Sequence, residues 1–229
     1  MAVDTADIVI IDYGMGNLRN VQKAFEAVGT LARISSRAQD LARADALVLP
    51  GVGAFGDAMA HLQEGGLIEP ILESVEEGKP LLGICLGLQL LFDESEEMGT
   101  HRGLGILPGR VVRFAPGLKV PHIGWNQLEF TRHLTESDVV PGSPSRLLDG
   151  IADASYAYFV HSYYAVAADP ACVLATTDYG IAFASIVQRG NVFGAQPHPE
   201  KSQEVGLRLL HNFAVIAIQG QGSDHLPCD

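Results

Sequence analysis

Pro80-Leu81-Leu82-Gly83-Ile84-Cys85-Leu86-Gly87 carries a short apolar run into a tight turn, and Leu86 to Phe92 resumes with helical spacing. Residues 80–84 read as a buried strand and residues 86–92 as the helix that follows it. The junction Gly83-Ile84-Cys85-Leu86-Gly87 places a nucleophile between two glycines, each two residues away. A sharp strand-to-helix turn lifts such a side chain above the sheet edge, and the flanking glycines tolerate the crowding. The helix N-terminus then favours a thiolate and supplies the Leu86 N–H as a donor. A cysteine taken alone is most often a buried core residue; its place between these glycines selects Cys85 as a nucleophile. Cys172, inside Ala171-Cys172-Val173-Leu174-Ala175, keeps the core assignment, and Cys228 in the tail is given no role.

Similar strand and helix signals lie on either side. Ile8 to Ile11 reads as a buried strand, followed by Gly14, Gly16 and a helix carrying Leu18, Val21, Phe25 and Val28 on one face up to Gly29. Thr30 to Ile34 is a weaker strand. Ala46 to Leu49 is a stronger one, ending in Pro50-Gly51-Val52-Gly53 before another helical segment. This alternation predicts right-handed crossovers and a mostly parallel sheet with helices on both faces. From Ile106 onward short strands dominate: Val111 to Phe114, Tyr156 to Val160, Cys172 to Thr176, Ala182 to Val187 and Asn191 to Ala195. Glycine, proline and aspartate separate them, which predicts antiparallel additions. Residues 131–145 are polar and aperiodic, a surface excursion. The last helix runs from Ser202 to Ile218 with Val205, Leu209, Phe213 and Ile216 inward, leaving 219–229 as a frayed tail. One α/β domain over residues 8–218 is expected, without repeat or linker.

The composition narrows the function. The chain has 229 residues, 47% hydrophobic and 18% charged, with a formal net charge of −12. That balance argues against nucleic acid, whose phosphates call for clustered Lys and Arg. No apolar run is long enough to span a bilayer and Met1 to Asp7 is acidic, so a soluble, cytoplasmic protein is expected. Three unpatterned cysteines do not make a disulfide framework. No metal or cofactor is called for.

A thiol nucleophile needs a base, and Gln196-Pro197-His198-Pro199-Glu200-Lys201-Ser202 offers one between a strand and the last helix. Residues before proline are pushed away from helical angles, so Gln196 and His198 are expected to be extended. In an extended segment residues two apart share a face, which sets Glu200 beside His198 to fix its tautomer and stabilise its charged form. Gly51, Val52 and Gly53 end another strand at the same sheet edge as Cys85, where peptide N–H groups can turn towards an oxyanion. The same stretch, Gly51-Val52-Gly53-Ala54-Phe55-Gly56, formally fits a dinucleotide fingerprint. That fingerprint needs an acid at the end of the next strand, and Glu69, Glu73, Glu76 and Glu77 fall in a helical stretch instead.

Taken together, Pro50 to Gly53, GICLGLQ at Gly83 to Gln89 and HPEKS at His198 to Ser202 resemble the class I (triad) glutamine amidotransferases. DYGMGNL at Asp12 to Leu18, PHIGWN at Pro121 to Asn126 and YFVHSY at Tyr158 to Tyr163 sharpen the likeness. They are similar to segments of the glutaminase subunits of imidazole glycerol phosphate synthase, which serve histidine biosynthesis. One departure is Pro197, where that family usually has an aromatic residue. The resemblance implies that Cys85 is the nucleophile, His198 the general base and then acid, and Glu200 the orienting carboxylate. It implies backbone oxyanion donors from Leu86 and the Gly51 to Gly53 loop, and L-glutamine held against Gln89, Glu97, Ser162 and Tyr163. By spacing alone, Gln89 falls on the helix face of Cys85, whereas Glu97 could equally be one of the solvated charges of Asp93-Glu94-Ser95-Glu96-Glu97. The family also implies a partner, a (β/α)8-barrel cyclase subunit, contacted through Tyr13 to Asn17, His122, Trp125, Asn126 and Lys201. The products there would be imidazole glycerol phosphate and aminoimidazole carboxamide ribotide.

Other functions remain to be separated by experiment. They are an amidotransferase subunit for anthranilate, aminodeoxychorismate or pyridoxal phosphate synthesis, a stand-alone cysteine hydrolase, and a dinucleotide-binding module.

Overall fold

Ile8, Val9, Ile10 and Ile11 are all fully buried, yet they divide between two cores. Ile8 and Ile10 pack with Val48, Leu82, Ile84, Phe25 and Phe213 on one face of a sheet. Val9 and Ile11 pack with Leu47, Leu49, Leu41, Phe55 and Leu62 on the other. This is the period-two alternation of a strand covered on both sides, which is why the sequence there reads as an unbroken apolar run.

In the computed structural model, which describes residues 6–131 and 144–220, the chain begins with β1 (Ile8–Ile11), α1 (Leu18–Ala27), β2 (Ala32–Ser35), α2 (Ala38–Arg43) and β3 (Ala46–Gly51). Two helices, α3 (Phe55–Glu64) and α4 (Ile68–Glu76), lead to β4 (Leu81–Cys85) and the short α5 (Leu86–Leu90). Then come β5 (Phe92–Ser95), β6 (His101–Arg102), β7 (Leu107–Arg113), β8 (His122–Phe130), β9 (Ser155–His161) and β10 (Tyr163–Ala167). The chain closes with β11 (Val173–Asp178), β12 (Ala182–Arg189), β13 (Val192–Ala195) and α6 (Gln203–Gly220). Nine strands form one sheet in the order β2-β1-β3-β4-β13-β12-β11-β8-β9, and β10-β7-β5-β6 form a second. The large sheet is mixed: β2 to β13 in that order pair in parallel, and β13 to β9 pair antiparallel.

Several features depart from the expectation. Asn191 to Ala195 is not a peripheral addition: β13 lies parallel to β4, with Ala195 opposite Ile84. The helix after Cys85 stops at Leu90, because Phe92 opens β5 and pairs with Leu107 in the second sheet. Leu86, Leu88, Leu90 and Leu91 are all buried, so periodicity cannot show where helix gives way to strand. The nine-residue β8 carries no clear strand signal in the sequence, since Gly124, Asn126 and Gln127 interrupt its alternation. Helix α6 runs to Gly220, two residues beyond the expected end. Most of the 131–145 excursion and of the tail, with Cys228, lie outside the described residues.

The sheet order fixes where chemistry can occur. Gly51 at the end of β3 is in register with Cys85 at the end of β4. The segment after Ala195 leaves β13 on the other side of β4. Three parallel strands therefore deliver the Gly51 to Gly53 loop, Cys85 and His198 to one carboxyl edge, the usual place for a ligand crevice in such sheets. No helix among the described residues is long and apolar enough to cross a membrane.

Candidate active site

Cys85 has φ +54° and ψ −110°, a backbone conformation that non-glycine residues rarely adopt. The turn is so tight that α5 rests on the sheet backbone to backbone. A Cβ on Gly87 would lie 1.7 Å from the Leu49 carbonyl oxygen, and one on Gly83 would lie 2.7 Å from the Gly87 oxygen. The two glycines around the thiol are thus steric requirements of the elbow.

Beside the thiol lies a cavity of about 290 Å³. Cys85, His198, Gln89, Glu97, Ser162 and Tyr163 all line it, as do Val52, Gly53 and Leu86. Gly51 is buried behind this wall, so among the expected oxyanion donors only Val52, Gly53 and Leu86 reach the cavity. Pro197 is buried and does not itself line the cavity.

His198 is extended, at φ −96° and ψ 99°, but Pro199 turns the chain at once into a 3-10 turn over Pro199–Lys201. The neighbourly arrangement of His198 and Glu200 therefore comes from a turn, not from an extended segment. Ser202 fixes that turn to β9: its hydroxyl donates to the His198 carbonyl at 2.7 Å and accepts the Tyr158 N–H at 2.9 Å. The result is a buried contact of 2.8 Å between His198 Nδ1 and Glu200 Oε1. Burial alone would lower the imidazole, but Cys85 and Glu200 outweigh it and push it up to about 10. His198 Nε2 has no hydrogen-bond partner among the described residues. A ring held by a carboxylate on one nitrogen and free on the other can take and return a proton.

Glu97 is not a solvated charge. Its Oε2 accepts the Phe55 N–H at 2.7 Å, at the first residue of α3. This carboxylate occupies the helix terminus where a pyrophosphate would sit in a dinucleotide site, and Glu69, Glu73 and Glu76 lie on α4. The Gly51 to Gly56 stretch is therefore no dinucleotide fingerprint. Glu97→Ala is expected to lower unfolding free energy by about 1–2 kcal/mol, the range for losing a helix-capping acceptor. A urea midpoint equal to wild type would show that the capping bond contributes nothing.

Besides Pro121, Val160 and His161, which also line the cavity, the site includes a residue that no sequence motif singles out, Gln196. It is fully buried, accepts from Gln89 Nε2 at 3.0 Å and directs its own Nε2 to Cys85 Sγ at 3.7 Å. A long amide at the end of an apolar strand, one residue before the Pro197-His198-Pro199 turn, was the available signal.

The residues expected at a partner surface divide. Asn17, Trp125 and Lys201 are exposed; Trp125 stands edge-on to Tyr158 and Lys201 lies over the Tyr158 ring at 5.8 Å. Asn126 is half-buried. Tyr13 and His122 are buried at 6% and 3% exposure, because each is used inside the fold. The Tyr13 hydroxyl lies 2.6 Å from where a Gly51 Cβ would be, and burial followed by the nearby Cys85 pushes the phenol up. His122 is sandwiched between Tyr179 and Phe159. Among the described residues, no group of three or more His, Cys, Asp or Glu side chains is placed to hold a metal ion.

The sequence profile of the family "Glutamine amidotransferase class-I" matches residues 9–217. The imidazole glycerol phosphate synthase subunit HisH of Syntrophotalea carbinolica is 56% identical over 214 residues, spanning 90% of this chain and 98% of that protein. The HisH subunit of Aquifex aeolicus is 53% identical over 206 residues, spanning 90% of this chain and 94% of that protein. Among solved structures, one described as a glutamine amidotransferase superposes with a TM-score of 0.70 at 23% identity, covering 92% of this chain and 98% of that one. A putative GMP synthase subunit from Thermoplasma acidophilum gives 0.68 at 16% identity over 95% and 96% of the two chains; at these identities both likenesses speak for the fold alone. With the profile spanning nearly the whole sheet and the HisH subunits more than half identical, this chain belongs to the class-I glutamine amidotransferase family.

Proposed function

We propose that this chain is the glutaminase subunit of imidazole glycerol phosphate synthase in histidine biosynthesis, using Cys85, His198 and Glu200 as a catalytic triad. The observation that carries the proposal is the strained Cys85 elbow opening on a cavity shared with a buried His198–Glu200 pair. His198 Nε2 takes the thiol proton, and the thiolate forms a bond to the side-chain amide carbon of glutamine. The resulting oxyanion is met by backbone N–H groups of Leu86 and of the Val52 to Gly53 loop. The tetrahedral species collapses with loss of ammonia, whose nitrogen takes the proton from His198. Water, deprotonated by His198, then cleaves the glutamyl thioester, releasing glutamate and returning the proton to the thiol. Gln89, Glu97, Ser162 and Tyr163 hold the amino-acid end of the substrate.

The ammonia passes to a cyclase subunit with a (β/α)8 barrel, docked on the surface that carries Asn17, Trp125, Asn126 and Lys201. A cytoplasmic location and a heterodimeric complex follow from this assignment. The net charge of −12 fits a division of labour in which the phosphorylated acceptor binds elsewhere. The isolated chain is expected to hydrolyse glutamine at a small fraction of the assembled rate, because Gly53, at φ +106°, leaves its loop free to turn donors away from the oxyanion. Glutamate release measured with and without the liganded cyclase tests this; equal turnover would exclude the coupling. Glutamine-fed assays with anthranilate, aminodeoxychorismate and pyridoxal phosphate synthase partners test the assignment of partner.

A further inference from the structure

The proposed triad leaves two buried histidines unused, His122 and His161. They are register partners on β8 and β9, and His122 Nδ1 lies 3.2 Å from His161 Nε2. Each ring has one further polar neighbour. His161 Nδ1 is 2.8 Å from the Tyr163 carbonyl oxygen, and His122 Nε2 is 3.4 Å from Asn126 Nδ2.

Backbone groups at both ends set the direction of this chain, because their donor or acceptor character cannot change. A carbonyl only accepts, so His161 carries its proton on Nδ1 and offers Nε2 as an acceptor. At the other end, Asn126 Nδ2 donates to the Asp178 carbonyl at 2.8 Å and Asn126 Oδ1 accepts the Gln127 N–H at 2.8 Å. The amide is thereby turned so that His122 Nε2 meets a donor, and His122 Nδ1 donates onward to His161. Every link is satisfied only when both rings are neutral and protonated on Nδ1. A second proton on His161 would set two N–H groups against each other. Burial already pushes both imidazoles down, His161 to about 3.

The chain ends on the glutamine cavity. The Tyr163 carbonyl also accepts Gln89 Nε2 at 2.9 Å, and Gln89 joins Gln196 beside the thiol. We propose that His122 and His161 are positioning residues for glutamine hydrolysis, whose one-way hydrogen-bond chain holds the Tyr163 carbonyl and the Gln89 amide where they shape the cavity. This inference rests on the glutaminase function and assigns a role within it to PHIGWN and YFVHSY that the triad does not explain.

Two measurements on the full chain assembled with its cyclase test it. Nitrogen-15 NMR of the wild-type complex should show two histidines that stay neutral and protonated on Nδ1 at neutral pH, the less common form of a free imidazole. His122→Phe keeps a ring between Tyr179 and Phe159 but removes both nitrogens. It should raise KM for glutamine by about 10-fold while kcat changes by less than about 3-fold, the size expected for one lost buried hydrogen bond. His122→Asn, which restores a donor near the Nδ1 position, should recover most of that rise. Either ring found charged or protonated on Nε2 in the wild type overturns the chain. An unchanged KM in His122→Phe, or a rise that Asn does not relieve, overturns the positioning role. Absence of glutaminase activity in the wild-type complex would instead overturn the functional assignment, while the NMR result stands independently.

Discussion

Cys85→Ala, assembled with the cyclase, is expected to lose glutamine-dependent synthesis by about 10⁴-fold or more while synthesis from added ammonium salt continues. Removing a covalent nucleophile abolishes the low-barrier route, and what remains is the weak catalysis of binding and oxyanion donors. The substitution is sterically mild, since it deletes one sulfur from a side chain that is 6% exposed. Ammonia bypasses the elbow and needs only the partner's site. The variant also carries an internal check: Cys85 is one of the groups holding the proton on His198, so the imidazole should titrate at lower pH in Cys85→Ala than in wild type. Loss of both glutamine- and ammonium-dependent synthesis would mean that Cys85 acts structurally. Retained glutamine-dependent synthesis would remove it from the chemistry.

Gly87→Ala is expected to cost at least about 4 kcal/mol of unfolding free energy, the magnitude reserved for severe overpacking or strain. Marginal stabilities are about 5–15 kcal/mol, so much of the chain would be unfolded or insoluble. The added Cβ would stand 1.7 Å from the Leu49 carbonyl oxygen and 2.8 Å from its carbon. Both belong to the backbone of β3, in the middle of the sheet, where no flexible side chain can yield. Gly29→Ala is the comparison. Gly29 has φ +80° but open space around it, so it should lose only about 1 kcal/mol, the cost of a left-handed alanine. Urea denaturation of the two variants decides the matter. Equal losses would show that α5 can lift from β3 and that the elbow is not held by backbone contact.

The two variants probe different levels of sequence information. Gly83, Cys85 and Gly87 were legible because a sharp turn imposes local demands: small residues where the chain crowds itself, on either side of the one side chain lifted at the apex. His198 and Glu200 were paired correctly for an incomplete reason. Proline restricts the residue before it, but Pro199 also starts a new turn, and that turn brings the carboxylate back to the ring. Glu97 shows the opposite limit. Within its own segment it is one acid among several, and only α3, 42 residues earlier, makes it a capping acceptor. Gln196 and the His122–His161 pair were illegible for the same reason, since their partners lie 107 and 39 residues away in sequence.

From the sequence alone came the strand and helix signals of the first half, the glycine-flanked thiol and the imidazole beside its acid. Each depends on steric and torsional preferences acting over a few residues, which any segment expresses wherever it sits. Tertiary structure alone placed β13 against β4, divided the expected interface into exposed and buried members, and ran a polar chain from Asn126 to the cavity. Those outcomes depend on which segments become neighbours. That choice is made by the burial of both sheet faces and the pairing of every backbone group at once, a property of the whole chain.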